Sequence, residues 1–317
     1  MRVDKTIRKA LRFGRQEANR VLKLRDKALK RRRAAVRALP KPAEPAPLGR
    51  IDRAALRAVG EMATAGVLVA EGDSWFDYPF NDVLRLLEDY HAYDVESVAH
   101  KGDPVEEMAY GGGQLEELTR RLEKLLRRHI IPRAVLLSGG GNDVAGDAFG
   151  MLLNHARSAA AGLNEQVVAG VIDERVQIAY VTILSAITRV CEQRLNQRIP
   201  ILVHGYDYPV PDGRGFLGGW WLLPGPWLEP GFREKGFENI QERIRLARQL
   251  IDRFNVMLQR VAGLSEFSHV KYINIRNTLS VGADYRRYWA NELHPTPRGF
   301  ELVTRRFAAA LANLPQP

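Results

Sequence analysis

A hydroxyl, an imidazole and several amide groups that suit acyl transfer stand in one order along the chain. Ser74 ends the tripeptide Gly-Asp-Ser at 72–74, which comes one residue after the apolar run 67–70. Three further candidates follow it in the sequence: Gly102, Asn142 and His294. Ser74 can act as a nucleophile, and His294 can act as its base. The N–H groups of Ser74 and Gly102 and the amide of Asn142 can together bind an oxyanion. We therefore predict cleavage of a carboxylic ester.

These residues need a scaffold that brings distant positions together, and the pattern of apolar residues predicts one. Strand patterns cover 67–70, 93–98, 134–137, 201–204 and 270–275, and helix patterns cover 81–90, 114–130, 165–196, 239–262 and 297–314. Strands that alternate with helices favour an α/β fold with a doubly wound, flavodoxin-like parallel five-stranded sheet. Ligands of such sheets bind beyond the carboxyl ends of the strands. The candidate residues all follow predicted strands, so we expect them to meet at one edge of the sheet.

Four blocks of this sequence resemble the SGNH hydrolases, also called GDSL esterases and lipases. The blocks are Gly72-Asp73-Ser74, Gly102, Gly140-Gly141-Asn142-Asp143 and His294, and the resemblance spans roughly residues 66–310. It implies a three-layer α/β/α sandwich and serine-dependent ester hydrolysis without a metal or another cofactor. It also implies an oxyanion hole formed by Ser74, Gly102 and Asn142, with Asp73 and Asp143 in supporting positions.

One position departs from the pattern of that family. The family usually has Asp three residues before the histidine, whereas this chain has Asn291 in Asn291-Glu292-Leu293-His294. The amide oxygen of Asn291 can accept the imidazole N–H and fix its tautomer, but it brings no negative charge. Glu292 is the alternative orienting residue if the loop turns differently. The sequence does not choose between these two side chains.

A segment rich in glycine, proline and tryptophan follows the fourth predicted strand. Residues 216–232 interrupt the alternation of strands and helices, and they would overhang the carboxyl edge of the sheet. Three tryptophans in this segment form a possible apolar wall for a substrate: Trp220, Trp221 and Trp227. Packing within the domain is the equally plausible role of the three indoles.

The positive charge of the protein is concentrated at its N-terminus. The 317 residues carry a net charge of +10, and residues 1–50 hold 17 Lys and Arg against 4 Asp and Glu. We predict a basic helical arm over 1–39, a proline-rich linker over 40–50 and the hydrolase-like domain over 51–317. A solvated tail or a helix that docks on a protein partner is the favoured interpretation of the arm. An anionic surface is a further possible partner, and sequence-specific recognition of nucleic acid is not expected.

The cysteine content and the hydropathy of the sequence predict the compartment in which the protein lies. Cys191 is the only cysteine, so an intrachain disulfide is impossible, as is usual in reducing compartments. Residues 1–20 contain no apolar signal segment, and no run approaches the roughly 18 apolar residues of a membrane span. We expect a soluble cytoplasmic protein.

Two other functions stay open at the level of sequence. The potential ligands Asp73, Asn142, Asp143 and His294 would suit a metal-dependent phosphoesterase, although the Gly-Asn-Asp segment is not followed by histidine. Alternatively, Asn291 marks a catalytically weak scaffold that acts through its basic arm.

Overall fold

A parallel five-stranded sheet forms the centre of the molecule. The computed structural model describes residues 4–37, 64–146, 148–218 and 223–315. The sheet contains β1 (Gly66–Glu71), β2 (Tyr93–Ser97), β3 (Ala134–Leu137), β6 (Ile201–His204) and β7 (Val270–Ile273). Its strand order is β2-β1-β3-β6-β7, and every neighbouring pair is parallel. This order is the flavodoxin-like arrangement that the sequence predicts, so the predicted fold class is confirmed.

Helices cover the sheet in two groups. The longer ones are α1 (Lys5–Arg37), α2 (Val83–His91), α4 (Gln114–Leu126), α7 (Gln177–Leu195), α9 (Ile240–Ala262) and α10 (Pro297–Ala312). Helix α2 packs against α10, whereas α4 and α9 both contact α7. Because helices cover both faces, β3 and β6 are buried at every residue and read as continuous apolar runs.

Several short elements lack the periodicity that would reveal them in the sequence. They are α3 (Val105–Tyr110), α5 (Gly141–Val144), α6 (Glu165–Val168), α8 (Glu229–Glu234) and the antiparallel pair β4 (Leu153–Asn154) and β5 (Gly162–Leu163). Single helical turns cover Phe149–Leu152, Phe216–Gly218, Ser265–Phe267 and Tyr285–Arg287. The region predicted as one helix over 165–196 consists of α6, a π-helical segment at Ala169–Val176, and α7. The helix predicted over 114–130 ends earlier, at Leu126.

Helix α1 packs on its own chain, along α7 and α4. The two helices α1 and α7 approach closely at Gly14, where a Cβ would lie 2.2 Å from the carbonyl oxygen of Thr182. The Ser185 hydroxyl donates to the carbonyl of Leu11 at 2.7 Å. One face of this helix carries an apolar stripe that is buried at Ile7, Leu11, Ala18 and Leu22. The interpretation of residues 5–37 as a solvated tail is therefore wrong, because their apolar face covers α7.

A buried carboxylate fastens the same helix electrostatically. Glu123 on α4 is fully buried, and it accepts a hydrogen bond from Arg25 of α1 at 3.0 Å. Arg194 of α7 lies 3.2 Å from the other carboxylate oxygen, so one anion joins three helices. Removal of either arginine would leave the buried charge of Glu123 without one of its partners, so each removal should strongly destabilise the protein.

Some predicted features fall on residues that the structure does not describe. The linker over 40–50, the start of the domain at residue 51, and both Trp220 and Trp221 lie outside the described ranges. Within those ranges, no helix is long and apolar enough to cross a membrane.

Candidate active site

Three side chains form a continuous line of hydrogen bonds at the carboxyl edge of the sheet. Ser74 lies in the turn after β1, and its Oγ is 2.7 Å from Nε2 of His294. The other imidazole nitrogen, Nδ1, is 3.0 Å from Oδ1 of Asn291. A nucleophile, a base and an orienting group in hydrogen-bond contact form the arrangement that activates a serine for attack.

The hydrogen-bond network fixes which imidazole nitrogen carries the proton. Oδ1 of Asn291 accepts from the backbone N–H groups of Leu293 and His294, at 3.0 and 2.8 Å. Its Nδ2 faces the Tyr78 hydroxyl at 3.2 Å, so the amide has a single consistent orientation. Nδ1 of His294 must then donate to this oxygen, which leaves Nε2 free to accept the hydroxyl proton of Ser74.

The imidazole of His294 is enclosed by aromatic rings. It stacks on Tyr78 with a centroid distance of 4.3 Å, and the edge of Trp227 lies 5.5 Å away. Burial lowers the pKa of His294 to about 3, because the charged imidazolium is poorly solvated there. The imidazole is therefore neutral, and able to accept a proton, at neutral and mildly acidic pH.

Glu292, the alternative orienting residue, points away from the imidazole. Its buried carboxylate accepts four backbone N–H groups, at distances of 2.7–3.0 Å, from Gly213, Trp227, Leu228 and Glu229. Burial raises the pKa of Glu292, while the four N–H donors act in the opposite direction. Of the two residues left open by the sequence, Asn291 contacts His294, and Glu292 fastens the segment that carries Trp227.

Asp73 connects the turn of Ser74 to the turn of Asn142. Its carboxylate accepts from the backbone N–H of Trp75 at 3.0 Å, from the Ser138 hydroxyl at 2.8 Å, and from the Tyr206 hydroxyl. The Tyr206 oxygen in turn accepts the N–H of Gly141 at 3.1 Å. The carboxylate is buried and faces these donors, so it holds the two turns in a fixed relation.

The candidate oxyanion donors line one cleft together with the base. Ser74, Gly102, Asn142 and His294 all contribute to a cleft of about 360 Å³. In the described part of the chain, the N–H groups of Ser74 and Gly102 meet no protein acceptor. Gly102 has a φ of 91°, and a Cβ there would meet no atom within 4 Å. Both N–H groups are thus available to a ligand.

The two residues after Gly141 bind the loop that carries Gly102. Nδ2 of Asn142 donates to the carbonyl of Asp103 at 3.2 Å, and this amide has a second N–H that is still available. The carboxylate of Asp143 accepts the N–H of Val105 at 2.8 Å, at the start of α3. Burial raises the pKa of Asp143 to about 6. The predicted supporting position of Asp143 therefore corresponds to a link between two loops.

The remaining walls of the cleft are apolar apart from Lys101. Trp227 contributes with other side chains of the overhanging segment and of the turn after β1: Phe216, Leu223, Pro224, Tyr78 and Pro79. Of the three tryptophans proposed as a wall, Trp227 is the one within the described residues, and it lines the cleft. Tyr78 and Tyr206 were missed by the sequence analysis, because a tyrosine in a loop carries no signal of which side chain it will meet.

The residues considered as metal ligands do not converge on one point. In the described ranges, no group of three or more His, Cys, Asp or Glu side chains converges in a way that could hold a metal ion. The potential ligands proposed for a phosphoesterase are engaged elsewhere: Asp73 binds hydroxyl and N–H donors, and Asp143 caps α3.

Comparisons with known proteins identify similar solved structures only. No protein-family model matches the sequence, and no curated protein matches it. A lipase from a goat rumen metagenome is 16% identical with a TM-score of 0.47, over 77% of this chain and 97% of the lipase. An extracellular lipase from Streptomyces rimosus is 15% identical with a TM-score of 0.46, over 77% of this chain and 100% of that one.

The SGNH hydrolases are also among the solved structures to which the chain is similar. A protein from Slackia heliotrinireducens, provisionally named an SGNH hydrolase, is 13% identical with a TM-score of 0.43, over 78% of this chain and 98% of that one. Identities of 13–16% and TM-scores below 0.5 carry no information about a reaction or a substrate. The chemistry of this site has to be inferred from its own residues.

Proposed function

We propose that this protein is a serine-dependent carboxylic ester hydrolase. The observation that carries the proposal is the hydrogen-bonded line from Asn291 through His294 to Ser74, with 2.7 Å between Nε2 and Oγ. This line ends in the same cleft as the unpaired N–H groups of Ser74 and Gly102. A nucleophile, its base and donors for an oxyanion are the parts that acyl transfer requires.

The first half of the proposed reaction forms an acyl-enzyme. Nε2 of His294 takes the hydroxyl proton while Oγ of Ser74 attacks the ester carbonyl. The N–H groups of Ser74 and Gly102, with the free N–H of the Asn142 amide, bind the negative oxygen of the tetrahedral intermediate. The bond to the alcohol oxygen then breaks, and His294 returns the proton to that oxygen as the alcohol leaves.

The second half regenerates the enzyme with the same groups. A water molecule gives a proton to Nε2 of His294 and attacks the acyl carbonyl. The intermediate collapses, the proton passes to Oγ of Ser74, and the carboxylic acid leaves. His294 carries a positive charge in each intermediate, and the neutral Asn291 stabilises that charge less than a carboxylate would. The oxyanion donors therefore supply the larger part of the electrostatic stabilisation in this proposal.

Labelling with a fluorophosphonate tests the proposal directly. We expect the reagent to add once, with the modified peptide containing Ser74, and we expect Ser74→Ala to abolish the label. The same variant should lower the hydrolysis of p-nitrophenyl acetate by about 10⁴-fold or more. Ser265→Ala is the matched control, since this serine lies in a surface turn far along the chain and makes one local hydrogen bond, to Glu266. It should keep both the label and the activity.

The other functions considered from the sequence are outcomes of the same experiment. Turnover that is lost in a chelator, together with no label on Ser74, would favour a metal-dependent phosphoesterase. Full activity in Ser74→Ala would contradict the serine mechanism. No label and no turnover of short esters, long acyl esters or acetylated sugars would favour a scaffold without hydrolase activity.

A further inference from the structure

Two cavities meet at Ser74, and they differ in size and in lining. The cleft of about 360 Å³ is lined by His294 and Gly102 as well as by Ser74. A second, narrower cavity of about 50 Å³ is also lined by Ser74 and Asn142, but by neither His294 nor Gly102. The two cavities therefore adjoin at Ser74, Asn142 and Leu293 and are otherwise lined by different residues.

The walls of the narrow cavity are mostly apolar side chains, and Asp73, Asp207 and Tyr206 also line it. The apolar side chains come from α5, from the turn after it, from the segment before α8, and from α9: Val144, Phe149, Leu228, Ala247, Leu250, Ile251 and Phe254. Leu250 and Ala247 are each 3% exposed, and the Phe254 ring fits against Gly140, where a Cβ would lie 2.3 Å from it. A cavity with such tightly packed walls keeps its volume when a ligand enters.

The chemistry of ester cleavage assigns a different half of the substrate to each cavity. The alcohol oxygen has to receive a proton from His294, so the alcohol must lie on the side that His294 lines. The carbonyl oxygen occupies the oxyanion donors. The acyl carbon chain then has the other cavity that Ser74 lines, the narrow one, which neither His294 nor Gly102 contacts.

We propose that the narrow cavity is the acyl pocket, and that the substrates are esters of short, unbranched acyl groups of two to four carbons. This inference rests on the proposed hydrolase function and adds the class of substrate to it. At roughly 10–15 Å³ for each water-sized group, 50 Å³ accommodates about four such groups. The alcohol is the larger half of the substrate, and the apolar walls around Trp227 suit an alcohol with apolar or ring surfaces.

A series of p-nitrophenyl esters from acetate to octanoate tests the size of the pocket. We expect kcat/KM to fall at least about tenfold between butanoate and octanoate, because even one methylene that does not fit costs roughly that factor or more. Leu250→Ala should enlarge the pocket and raise the octanoate-to-acetate ratio of kcat/KM about tenfold. The matched control is Leu258→Ala, a buried leucine of the same helix that does not line the cavity, and its ratio should stay at the wild-type value.

A second substitution tests the pocket in the opposite direction, with a smaller change to the core. Ala247→Val adds two methyl groups to the wall, so it should lower kcat/KM for butanoate about fivefold relative to acetate. Octanoate turnover equal to butanoate turnover in the wild type would overturn the inference. So would identical ratios in Leu250→Ala and Leu258→Ala. In either case fluorophosphonate labelling of Ser74 would leave the hydrolase function standing. Loss of both labelling and turnover in the wild type would remove the function and the pocket together.

Discussion

The loop that carries His294 and the loop that carries Gly102 face the same cleft, but they are held very differently. Around His294, Asn291 accepts three hydrogen bonds, Glu292 accepts four, and the Trp75 indole donates to the carbonyl of Leu293 at 3.1 Å. This loop is buried and its polar groups are paired. Its geometry is therefore determined before any ligand binds.

The loop of Gly102 is exposed at its tip and bonded at its base. The N–H of Lys101 donates to Asp77 at 3.0 Å, and the N–H of His100 donates to the carbonyl of Gly72 at 2.9 Å. Beyond these bonds, the N–H of Gly102 faces the cleft without a protein acceptor among the described residues. In the proposed mechanism, Ser74 and His294 are therefore aligned before a ligand binds, whereas the N–H of Gly102 gains its acceptor from the substrate.

Removal of the His294 imidazole from its hydrogen-bonded loop has the largest expected effect on activity. His294→Ala should lower kcat/KM for p-nitrophenyl acetate by about 10⁴-fold or more, since His294 is the group among the described residues that contacts the Ser74 hydroxyl. Asn291→Ala should cost less, about 10²-fold, because the imidazole loses its orienting acceptor but keeps its stacking on Tyr78. Steady-state kinetics at pH 8 measure both variants. Equal losses would contradict the view that Asn291 only orients the base.

Removal of the Asn142 amide tests the proposed oxyanion donors. Asn142→Ala should lower kcat by about 10²- to 10³-fold with little change in KM, because the lost hydrogen bond forms mainly in the transition state. Asn142→Asp has the same size but replaces the amide donor by a carboxylate, so it should be at least as damaging. An unchanged kcat in Asn142→Ala would exclude this amide from the oxyanion hole.

A negative charge introduced beside His294 tests the contact between residue 291 and the imidazole, through the pH dependence of kcat/KM. In Asn291→Asp, the new carboxylate would lie about 3 Å from Nδ1, and it should raise the pKa of His294 by about one to two units from its value of about 3. The acid limb of kcat/KM should then move up by the same amount, with activity at pH 4 falling about two- to tenfold relative to pH 8. An acid limb at the same pH in both proteins would contradict a direct contact between residue 291 and the imidazole.

The same pKa determines how acid affects stability. The folded-state pKa of His294 lies below its ordinary value of 6.5, so the unfolded chain binds the proton more readily. The contribution of the neutral imidazole to the free energy of unfolding is complete above pH 6.5, and it is lost as the pH falls toward 3. Thermal unfolding between pH 7 and pH 4 should show a smaller decrease for Asn291→Asp than for the wild type.

The smallest effect is expected at the tip of the open loop. Gly102→Ala keeps the N–H and places its Cβ in empty space, so kcat/KM should fall by no more than about threefold. Its φ of 91° should still lower the free energy of unfolding by about 1 kcal/mol. Gly140→Ala is the contrasting control, because its Cβ would collide with Phe254, and it should destabilise the protein much more. Equal destabilisation would mean that the loop of Gly102 is packed rather than open.

The convergence of the candidate residues follows from the sequence, because the predicted strand ends of a parallel sheet lie at one edge. Ser74, Asn142 and His294 are 220 residues apart at the extremes, yet each follows a strand whose carboxyl end reaches the same edge. The orienting residue was not decided at that stage. Asn291 and Glu292 are adjacent in sequence, and only the turn of the loop determines which of them faces the imidazole.

The parts that escaped the sequence depend on long-range contacts. Tyr206 meets Asp73 across 133 residues, and neither its type nor its spacing marks it as a partner. Helix α1 was predicted from its composition, but its covering of α7 depends on the fit at Gly14 and on the pairing of Arg25 with Glu123. Short helices such as α3 offer too few turns for a periodic pattern.

The position of α1 has a consequence for the order in which the chain folds. The hydrogen bond between Leu11 and Ser185 joins residues 174 positions apart. During synthesis at about 5–20 residues per second, the first helix emerges roughly 10 to 35 seconds before its docking surface exists. During that interval the apolar stripe of α1 lacks the α7 surface that covers it in the folded protein. Like charges on the basic face of the segment would repel other copies of it, which would disfavour association until α7 has been made.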